Sequence, residues 1–187
     1  MAMPATMERE WTAEMVRAIP DDNNRYEVVD GELFVTPAPS WRHGDVIAEL
    51  HLILADYVKR NSVGHVKLAP QDVVLDYRTL VEPDIFVVPL VEGKKPRVWE
   101  DVREMLFVIE VLSPSTARLD RRVKRERYQR EGVPQYWIVD VDARLIERWR
   151  PGDDRPEILV DRIDWEPAGG SQPLVIELRE FFQRALE

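Results

Sequence analysis

The chain contains no cysteine. That excludes a disulfide framework, a cysteine-based zinc site and a thiol nucleophile, and it suits a reducing compartment. No apolar run approaches the ~20 residues needed to span a bilayer, and the start, MAMPATMEREW, lacks the basic-then-apolar form of a signal peptide. The expectation is a soluble, cytoplasmic protein with no membrane partner. There is no P-loop, dinucleotide glycine pattern, G-x-S-x-G elbow or H-E-x-x-H, so nucleotide-driven, hydride-transfer, serine-hydrolase and zincin chemistries have no support. Internal repeats, low-complexity tracts and linkers long enough to divide the chain are also missing.

What is present suffices for a substantial core: 187 residues, 44% of them hydrophobic, for which one domain over 1–187 is the simplest expectation. The net charge of −9 argues at first against a polyanionic partner. Its distribution matters more than its total. The stretch RLDRRVKRERYQR, Arg118 to Arg130, holds seven basic and two acidic residues, so it is +5 while the rest of the chain is −14. Arg121, Arg122 and Arg125 on this strip are candidates for gripping phosphates, which gives affinity without base recognition. The alternative is a solvated helix face.

Periodicity sets the elements. A short helix is expected over Thr12 to Ala18 with Thr12 as N-cap. RYEVVDGELFVTP reads as two strands turning at Asp30-Gly31. Ser40 caps a long helix over Trp41 to Asn61, with Val46, Ile47, Leu50, Ile53, Leu54, Tyr57 and Val58 at helical spacing. Strands follow at Val66 to Leu68, Gln71 to Asp76, Asp84 to Pro89 and Met105 to Leu112. The basic helix runs from Ser115 or Thr116 to about Glu131 and is stopped by Gly132 and Pro134. QYWIVDVDARLIERW is strand, turn and strand; Glu157 to Arg162, Leu174 to Glu177 and a short amphipathic helix ending at Leu186 complete the tail. This order points to an α/β or α+β fold, a mixed central sheet flanked by helices.

Two acids stand out because they occupy apolar strands: Glu110 in MLFVIEVLSPST and Asp84 in VEPDIFVVPL. Burying an unpaired carboxylate costs several kcal/mol, so each must be paired, protonated or bound to a cation. Alternation puts Glu110 on the face of Leu106, Val108 and Leu112, opposite Phe107, Ile109 and Val111. Pro83 before Asp84 and Ser-Pro after Glu110 place both near strand ends. Two hard oxygen donors there suit Mg²⁺ or Mn²⁺; a structural ion pair is the alternative for the two acids taken alone. Asp120, Lys124 and Tyr128 recur every four residues along the basic helix and share one face. From it Lys124 can present an ammonium to the acids, to orient a water or to balance charge at a phosphate.

In this order, YEVVDGEL, His43 opening a helix, PDIFVV, VIEVLSPST, and D...K...Y followed by GVPQYWIVD resemble the Uma-two family of restriction-endonuclease-like proteins in the PD-(D/E)XK nuclease superfamily. The resemblance runs from about Tyr26 to Asp140, with the strands and short helix of 141–187 beyond it. It implies a restriction-endonuclease-like core and a divalent-metal site in which Asp84 matches the PD aspartate and Glu110 the second acid. The superfamily lysine two residues after the second acid is here Leu112, which cannot activate water; the resemblance suggests that its role has moved to Lys124. Glu27 is suggested as a further acidic member, with a cross-strand salt bridge as the alternative. His43, in the first turn of its helix, is expected as a neutral ring that hydrogen-bonds or contacts substrate, or as a surface histidine. Asp120 either joins the site or stabilises its helix terminus. Tyr128 is expected in the core, and His51 and His65 as structural or surface residues.

The resulting expectation is a Mg²⁺- or Mn²⁺-dependent endonuclease acting on nucleic acid, DNA foremost. Asp84 and Glu110, with the Val111 carbonyl, would hold the ion and Lys124 would position the water. A symmetric homodimer would suit cutting two strands. The rival is a non-catalytic interaction or nucleic-acid-binding module that retains the fold.

Overall fold

The computed structural model describes residues 10–168 and 172–187. The first nine residues, which carry most of the stretch compared above with a signal peptide, lie outside the described residues. Thr12 caps α1 (Ala13–Arg17) by accepting from the Met15 amide. β1 (Arg25–Val29) and β2 (Glu32–Thr36) then form a hairpin. Its turn needs positive φ at both central residues, met by Asp30 at 52° and Gly31 at 87°. A side chain at Gly31 would also strike Arg78 and Glu10 at 2.9 Å.

α2 (Trp41–Asn61) starts where expected, with Ser40 Oγ accepting from the His43 amide, and stops at Ser62 in the left-handed region. It is followed by β3 (His65–Leu68), β4 (Val73–Asp76), β5 (Thr79–Val81), β6 (Ile85–Val88) and β7 (Phe107–Val111). The basic segment is helical, but Leu119–Lys124 form a π-turn before α3 (Arg125–Arg130). β8 (Tyr136–Asp140), β9 (Leu145–Trp149), β10 (Glu157–Leu159), β11 (Arg162–Trp165), β12 (Leu174–Glu177) and α4 (Leu178–Leu186) close the chain.

The mixed α+β architecture has a six-stranded sheet in the order β10-β9-β8-β7-β6-β3, antiparallel except for the β7–β8 pair. The crossover joining that parallel pair is the basic helix. β2-β1-β5-β4 form a second sheet and β11-β12 a third. Alternation along β7 divides the core. Phe107, Ile109 and Val111 face α2 and α4 with Trp137, Trp165, Phe181 and Phe182, where Phe107 stacks on Trp165 at 4.7 Å and meets Trp137 edge-on at 4.5 Å. Val108 lies in the other cluster, with Tyr128, Tyr136 and Ile138 and with Val29, Val73 and Val81 of the second sheet. Glu110 points into that second layer, and dense packing on both sides keeps it from reaching water.

Candidate functional site

Register brings the two acids together. Ile85 lies opposite Ile109 across β6 and β7, so Asp84, one residue ahead of β6, falls beside Glu110. The Asp84 amide donates to Glu110 Oε2 at 3.3 Å, and the Val111 amide donates to Asp84 Oδ2 at 2.9 Å. Both acids are 1–2% exposed.

The basic helix supplies the next layer. Lys124 Nζ lies 2.9 Å from Glu110 Oε1, 2.7 Å from Glu27 Oε1 and 3.7 Å from Asp120 Oδ1. Tyr128 donates its hydroxyl to the same Glu110 Oε1 at 3.1 Å. The shared face expected from α-helical spacing therefore exists, although the turn that carries it is wider. The Arg125 amide reaches back five residues to the Asp120 carbonyl, which also accepts from the Tyr136 hydroxyl at 3.1 Å. Single π-turns of this kind are frequent at functional sites.

Two more side chains complete the centre from the Asp84 side. Arg25 Nη1 donates to Asp84 Oδ1 at 2.9 Å, and His43 Nε2 lies 3.1 Å from Asp84 Oδ2. An ionised carboxylate only accepts, so Nε2 carries the proton. Nδ1 is then left buried with no partner among the described residues. Glu27 accepts from the Glu82 amide at 2.8 Å as well as from Lys124. Arg25 and Tyr128 are the members that sequence reasoning missed. Arg25 had a signal, because it stands two residues before Glu27 and strand alternation puts both on one face. Tyr128 had none beyond its helical phase.

The three arginines considered for phosphate contact do not form one open patch. Arg121 is tied to Glu147 at 2.6 Å and to Asp140 at 2.8 Å. Arg125 donates to Gln129 and Glu126 and lies over the Trp149 ring at 4.9 Å. Arg122 is exposed, with no hydrogen-bond or ionic partner among the described residues.

Burial and charge pull the acids apart in their titration. Burial would raise Asp84, yet the His43 hydrogen bond, the Arg25 guanidinium and the Val111 amide hold it at about 2. Glu110 goes the other way: burial, reinforced by Asp84, Asp120 and Glu27, pushes it well above the usual carboxylate range despite Lys124. Asp120 rises to about 6, chiefly through burial. Lys124 remains firmly protonated, its burial outweighed by Glu110 and Glu27. Four buried carboxylates, Glu27, Asp84, Glu110 and Asp120, thus face two permanent cations, Lys124 and Arg25. With every acid ionised, and before His43 is counted, the centre holds two negative charges in excess.

That excess bears on whether a divalent cation fits. Among the described residues no group of three or more His, Asp or Glu is placed to hold a metal ion. Mg²⁺ does not require one, since it binds through one or two carboxylates and keeps several waters. A carboxylate offers about four lone-pair sites. Asp84 uses three, on Arg25, His43 and Val111, and Glu110 three, on Lys124, Tyr128 and the Asp84 amide. One site remains on each acid, and together they suit a hydrated dication that would offset the excess charge. The Val111 amide is committed to Asp84, which leaves its carbonyl as the group a cation could use. A cavity of about 250 Å³ lies alongside, lined in part by Arg25 and His43 and by the Leu112 to Thr116 loop that follows Glu110.

Buried, opposed acids at the ends of central strands thus face a lysine from the crossover helix. The family described as "Uma2: Putative restriction endonuclease" matches residues 13–182, and the chain belongs to that family. The fold is similar to a crystal structure described as "a putative nuclease belonging to DUF820 from Anabaena variabilis", with a TM-score of 0.77 and 19% identity over 94% of this chain and 99% of that one. No curated protein matches the chain. No helix among the described residues is long and apolar enough to cross a membrane.

Proposed function

We propose that the protein is a Mg²⁺- or Mn²⁺-dependent nuclease that hydrolyses phosphodiester bonds, with DNA as its substrate. The observation that carries this reading is the convergence of Asp84, Glu110 and Lys124 in one buried centre, where four carboxyl groups face two permanent cations. Burial raises the Glu110 carboxyl well above the ordinary range, and perturbed carboxyls of this kind cluster at functional sites. Asp84 and Glu110 would hold the ion, with the Val111 carbonyl beside them. Bound there, such an ion supplies a water of lowered pKa and neutralises charge on the phosphate. Lys124, kept protonated by its acids, orients the attacking water and cannot act as its base. Tyr128 and Glu27 hold Lys124 and Glu110 in place, and Arg25 and His43 keep Asp84 ionised.

The test is cleavage of a mixed DNA and RNA panel with Mg²⁺ or Mn²⁺. Glu110→Ala and Lys124→Ala are each expected to lose at least about 10²-fold in rate, the scale of removing one preorganised electrostatic group. Unchanged activity in Glu110→Ala would refute the assignment. Sedimentation of free and DNA-bound protein would read the homodimer suited to double-strand cutting.

A second reading, a non-catalytic nucleic-acid-binding or interaction module, draws on two observations. Each oxygen of Asp84 and Glu110 already has an internal donor, and Leu112 stands where the superfamily lysine is expected. DNA binding without cleavage, unaffected by Glu110→Ala, would favour it.

A further inference from the structure

The first turn of α2 departs from the usual helix start. Acids normally stabilise a helix N-terminus, yet this turn has none and presents Trp41, Arg42 and His43. Ser40 Oγ takes the His43 amide, while the Trp41 and Arg42 amides have no acceptor within the helix, which leaves two donors open to an anion. The turn borders the cavity of about 250 Å³ beside Asp84, which Ser40, Arg42 and His43 help to line. His43 is 6% exposed, and its Nδ1 has no partner among the described residues. Among the described residues Arg42 has a single ionic contact, an exposed one to Asp142 at 3.4 Å, which is easily exchanged. Trp41, between two lining residues, is 92% exposed, although tryptophan is on average highly buried.

We propose that this turn is a nucleotide subsite that selects substrates with an unpaired base next to the scissile phosphate, such as single strands, flaps and bulges. A phosphate rests on the Trp41 and Arg42 amides and the Arg42 guanidinium. The splayed base stacks on the Trp41 indole, a contact open to any base because every base has a π-face. His43 Nδ1 meets one polar atom of that nucleotide, which links substrate to Asp84 through the same ring. The cavity lies below the ~300–1,000 Å³ of drug-sized sites and suits one nucleotide rather than a duplex.

This inference rests on the nuclease reading, and its test separates the two. In a Glu110→Gln background that leaves substrate intact, binding is measured by fluorescence anisotropy with a labelled single strand, a duplex carrying one bulged base and a blunt duplex. Trp41→Ala is expected to weaken binding of the first two about tenfold or more and of the blunt duplex less than about twofold, while Trp41→Phe retains most of the affinity. Equal losses on all three ligands, or no loss, would overturn the subsite and leave the nuclease reading standing. So would sedimentation showing that Trp41→Ala splits a dimer. Failure to bind any oligonucleotide would remove both proposals.

Discussion

Lys124 and Arg127 stand three residues apart on the basic segment, both are buried, and each meets three carboxylates. Around Arg127 these are Asp30, Asp76 and Glu131, with side chains 34–45% exposed. Despite some burial, hydrogen bonds from Arg130 and Arg127 hold Asp30 below the ordinary range, and Arg127 and the Arg78 amide do the same for Asp76. Around Lys124 they are Glu27, Glu110 and Asp120, none more than 3% exposed, and there burial pushes Glu110 and Asp120 up. The same arrangement of one cation and three acids thus perturbs carboxyls in opposite directions, and access to water decides which. The arginine knot ties helix to hairpin and is relaxed. The lysine knot keeps charge in a condition that folding alone does not favour.

The comparison is broken most severely by removing the inner cation. Lys124→Met leaves Glu27, Glu110 and Asp120 without it and is expected to cost about 3–5 kcal/mol in chemical denaturation at pH 7. The loss should shrink as pH falls and the acids take up protons; a constant loss would show that Lys124 serves packing rather than charge. Next comes the response to ions. Mg²⁺ or Mn²⁺ at about a hundred times its Kd should stabilise the wild type by about 2.7 kcal/mol, seen as a rise in Tm. Asp84→Asn should abolish that rise and Asp76→Asn should leave it unchanged.

Acidity sharpens the contrast, because the two regions have opposite slopes. The raised Asp120 binds its proton more tightly in the folded than in the unfolded chain, so it contributes most at low pH. That contribution is lost as pH rises from the ordinary 3.8 to about 6, by up to about 1.4 kcal/mol per pH unit. Asp120→Asn should remove this decline from a series of denaturant titrations. The lowered Asp76 acts in the reverse sense, contributing above 3.8 and losing its effect as pH falls below it, so Asp76→Asn should flatten the acid side alone. The smallest effect lies at the helix's open edge. Arg122→Ala should reduce the salt slope of DNA binding by about 1 with no change in stability, whereas Arg121→Ala should lower stability because it leaves the nearly buried Glu147 unpaired.

Much of this arrangement is legible in one dimension. Ser40 and the apolar spacing after it define α2 at both ends, Asp30-Gly31 dictates its hairpin, and alternation puts Glu110 on one face of β7. The short β5 was not foreseen, because its three residues form a strand only by pairing with β1 and β4. The strand expected over Glu157 to Arg162 instead breaks between β10 and β11, which join different sheets. The π-turn carries no compositional mark, since it depends on what Asp120 and Lys124 meet across the interior. The basic strip reads as a surface for phosphates, yet most of its arginines are engaged by acids brought from as far away as Asp30 and Asp76.

The residues themselves determined which acids are buried and which helical face opposes them, because side-chain direction repeats every two residues in a strand and about every 3.6 in a helix. Only the tertiary structure decided which carboxyl keeps its charge. That outcome depends on distances and on the exclusion of water among Arg25, Asp84, Glu110 and Lys124, groups scattered along most of the chain, and no local pattern encodes either.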